Sequence, residues 1–263
     1  MGGMRCNRYG GLTLLRIGDH ELDPRLVVLD KDGTLLAFKE MWHTWFNALR
    51  QALGAEGALS AATERGLAAT LGYDQATGAW DPLGALCVAP TAEVLVLIAG
   101  QLCAHEHMGW DEAMARVRRA TAAVQASLPM EDLAQPVGDL RGWLERVHAS
   151  GALLAVATTD VRSDTERTLH KLGIAQLFVT MVCGDDGVPL KPDPRMVLEI
   201  CRRTGVAPAD AIMVGDTVAD LQMARAAGLA CAVGVTTGAV PAALLAPYAD
   251  QLVTDIHAIE VVY

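Results

Sequence analysis

The stretch LDKDGTLL, Leu29–Leu36, places two aspartates, Asp30 and Asp32, directly after the apolar run LVVL. Two carboxylates this close repel each other, so ionising both is unfavourable unless a cation lies nearby. A single aspartate after a strand is usually a turn or helix-capping residue. The rest of the chain therefore decides whether this pair serves a turn or a reaction.

Five short apolar runs, rich in Val, Leu and Ala, end in polar residues or glycine. They are Leu26–Leu29, Leu153–Ala157, Leu177–Val182, Ala211–Val214 and Ala230–Val233. Such runs are typical of strands that are buried on both faces of a parallel sheet. Helical patterns that stop at Gly173, Gly205 and Gly228 follow the second, third and fourth runs. The alternation predicts an α/β fold with an open, parallel, Rossmann-like sheet.

A long, mostly helical segment separates the first predicted strand from the second. An insert of this size has its own core, so we predict a helical cap domain at residues 37–134, inserted after the first strand. Residues 1–36 and 135–263 then form the α/β catalytic core. Before the first strand, the segment LTLLRIGDHEL predicts an added hairpin that turns at Gly18 and Asp19.

The composition is that of a folded, acidic protein. Of 263 residues, 52% are hydrophobic and 20% are charged, which provides a buried core and argues against disorder. The net charge of -10 makes nucleic acid and anionic membrane surfaces poor partners. A small anionic substrate remains compatible, because a bound cation inverts the local field. We therefore predict no nucleic-acid or membrane partner, and the oligomeric state stays open.

The six cysteines indicate a cytoplasmic protein, and the most apolar window predicts no membrane span. No two cysteines form a C-x-x-C pair, so zinc-ligand spacing is absent, and we interpret them as reduced. The window Ala85–Ala104 is interrupted by Pro90 and Glu93. A membrane span needs about 20 mostly apolar residues, so this window predicts a buried helix instead.

Residues that are capable of chemistry follow four of the predicted strands. In open α/β sheets, ligands bind beyond the carboxyl ends of the strands, which meet at one edge. In chain order these residues are Asp30, Asp32, Gly33, Thr34, Thr158, Thr159, Lys191, Asp216 and Asp220. Taken singly, each is typical of a turn or a helix cap. Their joint occurrence at one sheet edge favours a functional site.

The chemistry of this set fits phosphoryl transfer. Crowded carboxylates need a hard cation such as Mg²⁺, which takes one or two carboxylates together with waters and phosphate oxygens. A carboxylate held in this way is able to attack phosphorus as a nucleophile. A second carboxylate two residues on is able to protonate the leaving oxygen and then to activate water. Lys191 and Thr158 supply donors to the phosphoryl oxygens, and Gly33 lets the backbone approach the ligand.

Four motifs resemble those of the haloacid dehalogenase (HAD) superfamily of phosphotransferases. They are DKDGTLL at Asp30–Leu36, VATT at Val156–Thr159, LKPDP at Leu190–Pro194 and VGDTVAD at Val214–Asp220. The insert after the first motif resembles the helical cap of the phosphoglycolate-phosphatase-like branch. The resemblance implies a Mg²⁺-dependent enzyme that transfers phosphoryl groups through an aspartyl-phosphate.

The resemblance also implies a role for each motif residue. Asp30 would be the nucleophile and a Mg²⁺ ligand, and Asp32 the general acid/base with its backbone carbonyl on the metal. Thr158 and Lys191 would bind the phosphoryl group. The expected substrate contacts are Gly33, Thr34 and Thr159. Asp216 and Asp220 are the expected metal contacts, and Asp185 would lie farther from the metal.

The start of the predicted cap offers two further candidates for substrate contact, Lys39 and His43. The alternative is a solvated lysine and a histidine that is satisfied within the fold. The aromatic residues of the same segment recur at three- and four-residue steps and predict buried cap core: Phe38, Trp42 and Trp45. His105 and His107 have a metal-like spacing, but without further ligands nearby we expect no metal there.

We predict a phosphatase that hydrolyses a small phosphorylated metabolite. Within the superfamily, dehalogenases lack the second aspartate and phosphonoacetaldehyde hydrolases carry a small residue there, so Asp32 favours hydrolysis of phosphate esters. A sugar-phosphate mutase would keep the same core residues and stays an alternative, as does a non-catalytic binding protein of the same fold.

Lys31 is expected to point away from Asp30 and Asp32 by strand alternation.

Overall fold

A computed structural model describes residues 14–262, which form two sheets. The smaller sheet is antiparallel and consists of β1 (Leu14–Ile17), β2 (His20–Leu22) and β9 (Ile259–Val262). β1 lies in the middle and pairs with both of the others. The pairing of β1 with β2 confirms the predicted hairpin, although Leu12 and Thr13 lie outside the described residues.

The larger sheet is parallel and has six strands. They are β3 (Leu26–Leu29), β4 (Leu153–Ala157), β5 (Phe178–Val182), β6 (Ala211–Gly215), β7 (Cys231–Val235) and β8 (Gln251–Val253). Their order across the sheet is β5-β4-β3-β6-β7-β8. All five predicted strands are present, which confirms the open parallel α/β sheet. β8 escaped prediction because it is a three-residue edge strand that is only partly buried.

Between β3 and β4 the chain forms a separate helical layer. Its helices are α1 (Phe38–Ala55), α2 (Ala61–Leu71), α3 (Ala85–Val88), α4 (Thr91–Glu106), α5 (Trp110–Ser127) and α6 (Met130–Leu133). Buried apolar residues of α1 to α5 form a core of their own, distinct from the cores on the two faces of the sheet. The apolar window predicted as one buried helix is divided at Pro90 into α3 and α4.

The chain leaves the sheet and returns to it at neighbouring points. The backbone N–H of Ala37 donates to Gln135 O at 2.8 Å, and that of Val137 donates to Leu35 O at 2.9 Å. The exit and the return therefore lie side by side, close to the boundaries predicted for the cap. The division into a core and a cap domain itself stays a prediction.

Helices cover both faces of the large sheet, because successive residues of its strands point to opposite sides. These helices are α7 (Leu140–Ala149), α8 (Arg162–Lys171), α9 (Arg195–Thr204) and α10 (Val218–Ala227). A short further helix, α11 (Ala242–Leu245), follows β7. Short 3-10 helices occur at Ala175–Leu177, Pro208–Asp210 and Ile256–Ala258. Val27 and Leu29 pack with α7 and α8, whereas Leu26 and Val28 pack with α9 and α10. This double cover fixes the strand ends that carry the predicted site.

Among residues 14–262, no helix has the length and apolarity that crossing a membrane requires. The cysteines that the structure describes are free thiols: Cys87, Cys103, Cys183, Cys201 and Cys231. Cys6 lies outside the described residues.

Candidate active site

Asp30 lies at the carboxyl end of β3, in the middle of the parallel sheet. Its backbone N–H donates to Val214 O at 3.0 Å and so continues the pairing of β3 with β6. The residue is 7% exposed, and its carboxylate forms an ion pair with Lys191. Lys191 Nζ also lies 2.6 Å from Asp220 Oδ1. The lysine therefore bridges two acids and fixes the orientation of the Asp30 carboxylate.

The turn after β3 supports a second acid, Asp216, at the end of β6. Gly33 has φ +87°, and a Cβ there would lie 2.3 Å from Asp216 Oδ2, so glycine is needed for the turn to pack against this carboxylate. Thr34 is fully buried, and its hydroxyl donates to Asp216 Oδ1 at 3.4 Å. Neither residue lines the cavity described below. Gly33 and Thr34, predicted as substrate contacts, instead lie behind the site and hold Asp216 in place.

The loop after β7 packs against the same acid. The hydroxyl of Thr237 donates to the carbonyl of Gly33. A Cβ at Gly238 would lie 1.7 Å from Asp216 Oδ2, so the backbone passes directly over the carboxylate. The end of β7 was not included in the site predicted from the sequence. The sequence carried a signal for it, because the fifth apolar run ends at the same edge of the sheet as the other four.

Asp30, Asp216 and Asp220 form a buried cluster in which one carboxylate oxygen of each lies within 4.8 Å of the others. Burial raises the pKa of Asp30 to about 6, although Lys191 opposes the rise. Burial, followed by repulsion from Asp30 and Asp220, raises the pKa of Asp216 well above its usual range. A divalent cation with oxygen ligands would relieve this repulsion. The donor set therefore fits Mg²⁺.

Asp220 is fixed at the start of α10. Its Oδ2 accepts hydrogen bonds from the backbone N–H of Thr217 at 3.1 Å and from the Thr217 hydroxyl at 2.6 Å. The Thr217 hydroxyl in turn accepts from the backbone N–H of Asp220 at 3.2 Å, which completes a capping box. Asp220 is fully buried and does not line the cavity. It contributes to the acid cluster from behind and holds Lys191.

Asp32 lines the cavity and is paired with Lys31. Lys31 Nζ lies 2.6 Å from Asp32 Oδ1 and 2.8 Å from Asp160 Oδ2. The prediction that Lys31 points away from Asp32 is wrong. Strand alternation does not apply, because β3 ends at Leu29 and the backbone N–H of Leu35 donates back to Lys31 O across a turn. Burial raises the pKa of Asp32 to about 7, although Lys31 opposes the rise.

Thr158 and Thr159 follow β4, the strand next to β3, and both line the cavity. The backbone N–H of Thr158 donates to Val182 O at 3.0 Å, which fixes the residue against β5. Its hydroxyl oxygen accepts from the backbone N–H of Asp160 at 3.2 Å. The hydroxyl proton therefore stays available to donate to a ligand.

These strand ends form the floor of a cavity of about 70 Å³ that the helical layer covers. A single water needs about 10–15 Å³, so the cavity has room for a small ligand. Six predicted residues line its floor: Asp30, Asp32, Thr158, Thr159, Lys191 and Asp216. Three aromatic residues of α1 line its cover, and they also belong to the core of the helical layer, as predicted: Phe38, Trp42 and Trp45.

A sequence model of the haloacid dehalogenase-like hydrolase family matches residues 24–228. The matched span includes the four motifs and the whole helical layer. The chain belongs to the haloacid dehalogenase-like hydrolases. This membership confirms the predicted family resemblance and the predicted hydrolase class.

A curated protein and two solved structures are also similar to this hydrolase. Phosphoglycolate phosphatase 1 of Pseudomonas aeruginosa is 28% identical over 232 residues, which cover 88% of this chain and 76% of the relative. The structure of a predicted phosphoglycolate phosphatase from Haemophilus somnus has a TM-score of 0.68 and 21% identity, covering 88% of this chain and 94% of that one. A structure provisionally assigned as a β-phosphoglucomutase from Thermotoga maritima has a TM-score of 0.64 and 23% identity, covering 89% and 96%. At these identities the two structures establish the fold.

Two predicted substrate contacts of this hydrolase, Lys39 and His43, do not line the cavity. Lys39 is exposed, and His43 Nε2 lies 3.4 Å from the hydroxyl of Tyr73 within the helical layer. Both residues follow a cavity-lining aromatic residue by one position, which turns them by about 100° around the helix. The alternative reading, a solvated lysine and a satisfied histidine, describes their positions.

Two further acids of the hydrolase depart from the prediction. Asp185 accepts a hydrogen bond from the backbone N–H of Arg162 at 2.8 Å and does not line the cavity. This contact with the first residue of α8 gives no support for a role of Asp185 near the metal. Asp160, by contrast, was not predicted and lines the cavity. A signal for it exists, because it directly follows the two threonines at the end of β4, but its pairing with Lys31 connects distant parts of the sequence.

Proposed function

We propose that this hydrolase is a Mg²⁺-dependent phosphatase that hydrolyses a small-molecule phosphomonoester through an aspartyl-phosphate at Asp30. The observation that carries the proposal is the pairing of Asp30 with Lys191 on the floor of a covered cavity. A second carboxyl group, that of Asp32, lies two residues further along the same turn and lines the same cavity. A nucleophile, a fixed cation and a proton carrier are the groups that phosphoester hydrolysis needs.

The side chains that would hold Mg²⁺ are Asp30 and Asp216, with Asp220 behind them in the same cluster. The carboxylate of Asp32 is not part of that cluster, and its role as a ligand through the backbone carbonyl stays a prediction. When bound, Mg²⁺ neutralises negative charge on the phosphoryl group and on the attacking carboxylate. The residues themselves orient the group that reacts.

The reaction that we propose has two steps. In the first, an oxygen of Asp30 forms a bond to phosphorus while the ester bond breaks, and Asp32 gives its proton to the leaving oxygen. In the second, Asp32 takes a proton from water, which attacks phosphorus and releases Asp30 and inorganic phosphate. Lys191 and the hydroxyl of Thr158 donate to the phosphoryl oxygens in both steps. The raised pKa of Asp32, about 7, suits a group that both gives and takes a proton near neutral pH.

Release of inorganic phosphate from an aryl phosphate tests this proposal. We expect release that requires Mg²⁺, stops when a chelator is added, and is abolished in Asp30→Asn. Asp111→Asn is the matched control, because Asp111 is exposed at the start of α5 and lies outside the cavity. Turnover by the Asp30→Asn protein at the rate of the control would contradict the assignment of the nucleophile.

Two alternatives use the same fold. A sugar-phosphate mutase would produce an isomerised sugar phosphate instead of free phosphate, so the same assay separates it. A non-catalytic binding protein is expected to have lost Asp30, Asp32 or Lys191, and the chain keeps all three. The small phosphorylated metabolite and the cytoplasmic location stay predictions.

A further inference from the structure

The cover of the cavity carries no charged side chain. Its contributions from α1 are aromatic, namely Phe38, Trp42 and Trp45, and those from residues 86–89 and Val94 are apolar apart from one thiol. Burial raises the pKa of that thiol, on Cys87, to about 12, so it is neutral at physiological pH. The other polar side-chain groups on this side are the hydroxyl of Thr91 and the indole N–H groups of Trp42 and Trp45. The cover is therefore mainly apolar and electrically neutral.

Three of the basic residues of the helical layer are engaged elsewhere. Arg50 pairs with Glu64, and Arg119 pairs with Glu56. Arg116 is buried and donates to backbone carbonyls within the layer. None of the basic residues of the layer, in the part of the chain that the structure describes, lines the cavity. A negative charge on the substrate would find no cationic partner in this cover.

The floor of the cavity also lacks a free cationic side chain for a second negative charge. Lys191 is the cationic residue among those that line it, and its ammonium is already held by Asp30 and Asp220. Asp32 and Asp160 also line the floor. A carboxylate that lost its water here would have no free cationic partner and would lie close to like charges, which is costly. An apolar group in the same place would bury its surface against the aromatic rings, which is favourable.

We propose that this hydrolase acts on phosphomonoesters of uncharged, mainly apolar alcohols, and that it discriminates against phosphate esters of hydroxy acids such as phosphoglycolate. This inference rests on the proposed phosphatase function. The proposed specificity differs from the activity named for the Pseudomonas aeruginosa relative. The two classes of substrate would share the floor of the cavity and would be distinguished by its cover.

The test compares isobutyl phosphate with phosphoglycolate, two esters of primary alcohols in which an isopropyl group replaces a carboxylate of equal heavy-atom count. With Mg²⁺ present, we expect kcat/KM for isobutyl phosphate to exceed that for phosphoglycolate by roughly tenfold or more. Equal turnover, or a preference for phosphoglycolate, would overturn the inference and leave the phosphatase function standing. Absence of phosphate release from either ester and from an aryl phosphate would overturn both.

A matched pair of variants places the discrimination in the cover. Thr91→Lys adds a cation at a position that lines the cavity, and Val96→Lys adds one on the exposed side of the same helix, α4. We expect Thr91→Lys to reduce the ratio of the two kcat/KM values several-fold and Val96→Lys to leave it unchanged. Because the ratio is measured within each variant, partial misfolding does not alter it. An unchanged ratio in Thr91→Lys would contradict the role of the neutral cover.

Discussion

At Asp30, burial and an ion pair act on one carboxylate in opposite directions. Burial raises its pKa and Lys191 lowers it, with the result of about 6, whereas the pKa of Asp32 is raised to about 7. Without a bound cation, each of these carboxyl groups therefore keeps its proton to a higher pH than a free aspartate does. A raised pKa suits Asp32 as a proton carrier, whereas the ion pair with Lys191 favours the ionised form of Asp30 that a nucleophile needs.

Gly33 packs the first motif against the Asp216 carboxylate, so replacing Gly33 tests the importance of this contact. Gly33→Ala combines an unfavourable φ with a collision against the Asp216 carboxylate, so we expect activity to fall roughly 100-fold through displacement of Asp216. Gly205→Ala is the matched control: Gly205 has φ +69° and no atom within 4 Å of the added Cβ. Both variants lose roughly 1–2 kcal/mol from the left-handed backbone conformation alone. Equal activity in the two variants, measured as phosphate release, would show that the contact with Asp216 is dispensable.

At the scale of elements, strand periodicity and motif order predicted most of what surrounds the site. The runs that became β3, β4, β6 and β7 are apolar throughout, so their burial on both faces could be recognised without knowing the fold. The run that became β5 contains Thr180, and this edge strand is partly exposed. Their carboxyl ends meet at one edge, and this placed Asp30, Thr158 and Asp216 together. The aromatic face of α1 was also predictable, since its period is that of a helix.

Elements whose position depends on distant contacts could not be predicted. Lys31 follows the end of β3, and its direction is set by a turn and by Asp160, which lies more than a hundred residues away. Whether Lys39 or Phe38 faces the cavity depends on the rotation of α1 against the core, and helical period alone does not specify that rotation. The same holds for residues 86–89, whose short helix meets the cavity only when the helical layer packs over the sheet.

At the scale of the whole molecule, the site is a concentration of buried negative charge that opposes folding. Without Mg²⁺, the raised pKa values of Asp30, Asp32 and Asp216 mean that the folded protein binds more protons than the unfolded chain. Stability from these groups is present at low pH and is lost as the pH rises through about 6 to 7. We expect the Tm of the Mg²⁺-free protein to be higher near pH 5.5 than near pH 8, with about 2–4 °C for each kcal/mol.

Mg²⁺ should reverse this trend, because it replaces the protons in the cluster. At a concentration about 100-fold above its Kd, a ligand of the folded state stabilises it by about 2.7 kcal/mol. We expect the rise of Tm with Mg²⁺ to be larger near pH 8 than near pH 5.5, and to be lost in Asp216→Asn. Potassium chloride at matched ionic strength controls for screening. A shift that is independent of pH, or one that persists in Asp216→Asn, would contradict binding at this cluster.

We propose that Asp30 carries the phosphoryl group between the two steps of the reaction, and detection of the covalent aspartyl-phosphate tests this role directly. Asp32→Asn should still be phosphorylated by an aryl phosphate, whose leaving oxygen needs little protonation, but should hydrolyse the intermediate slowly because water is no longer activated. Acid quenching followed by peptide mass spectrometry then locates the adduct. We expect one phosphoryl group on the peptide that contains Asp30, and none in the protein that combines Asp30→Asn with Asp32→Asn. Phosphate release without any adduct, or an adduct on another residue, would contradict it.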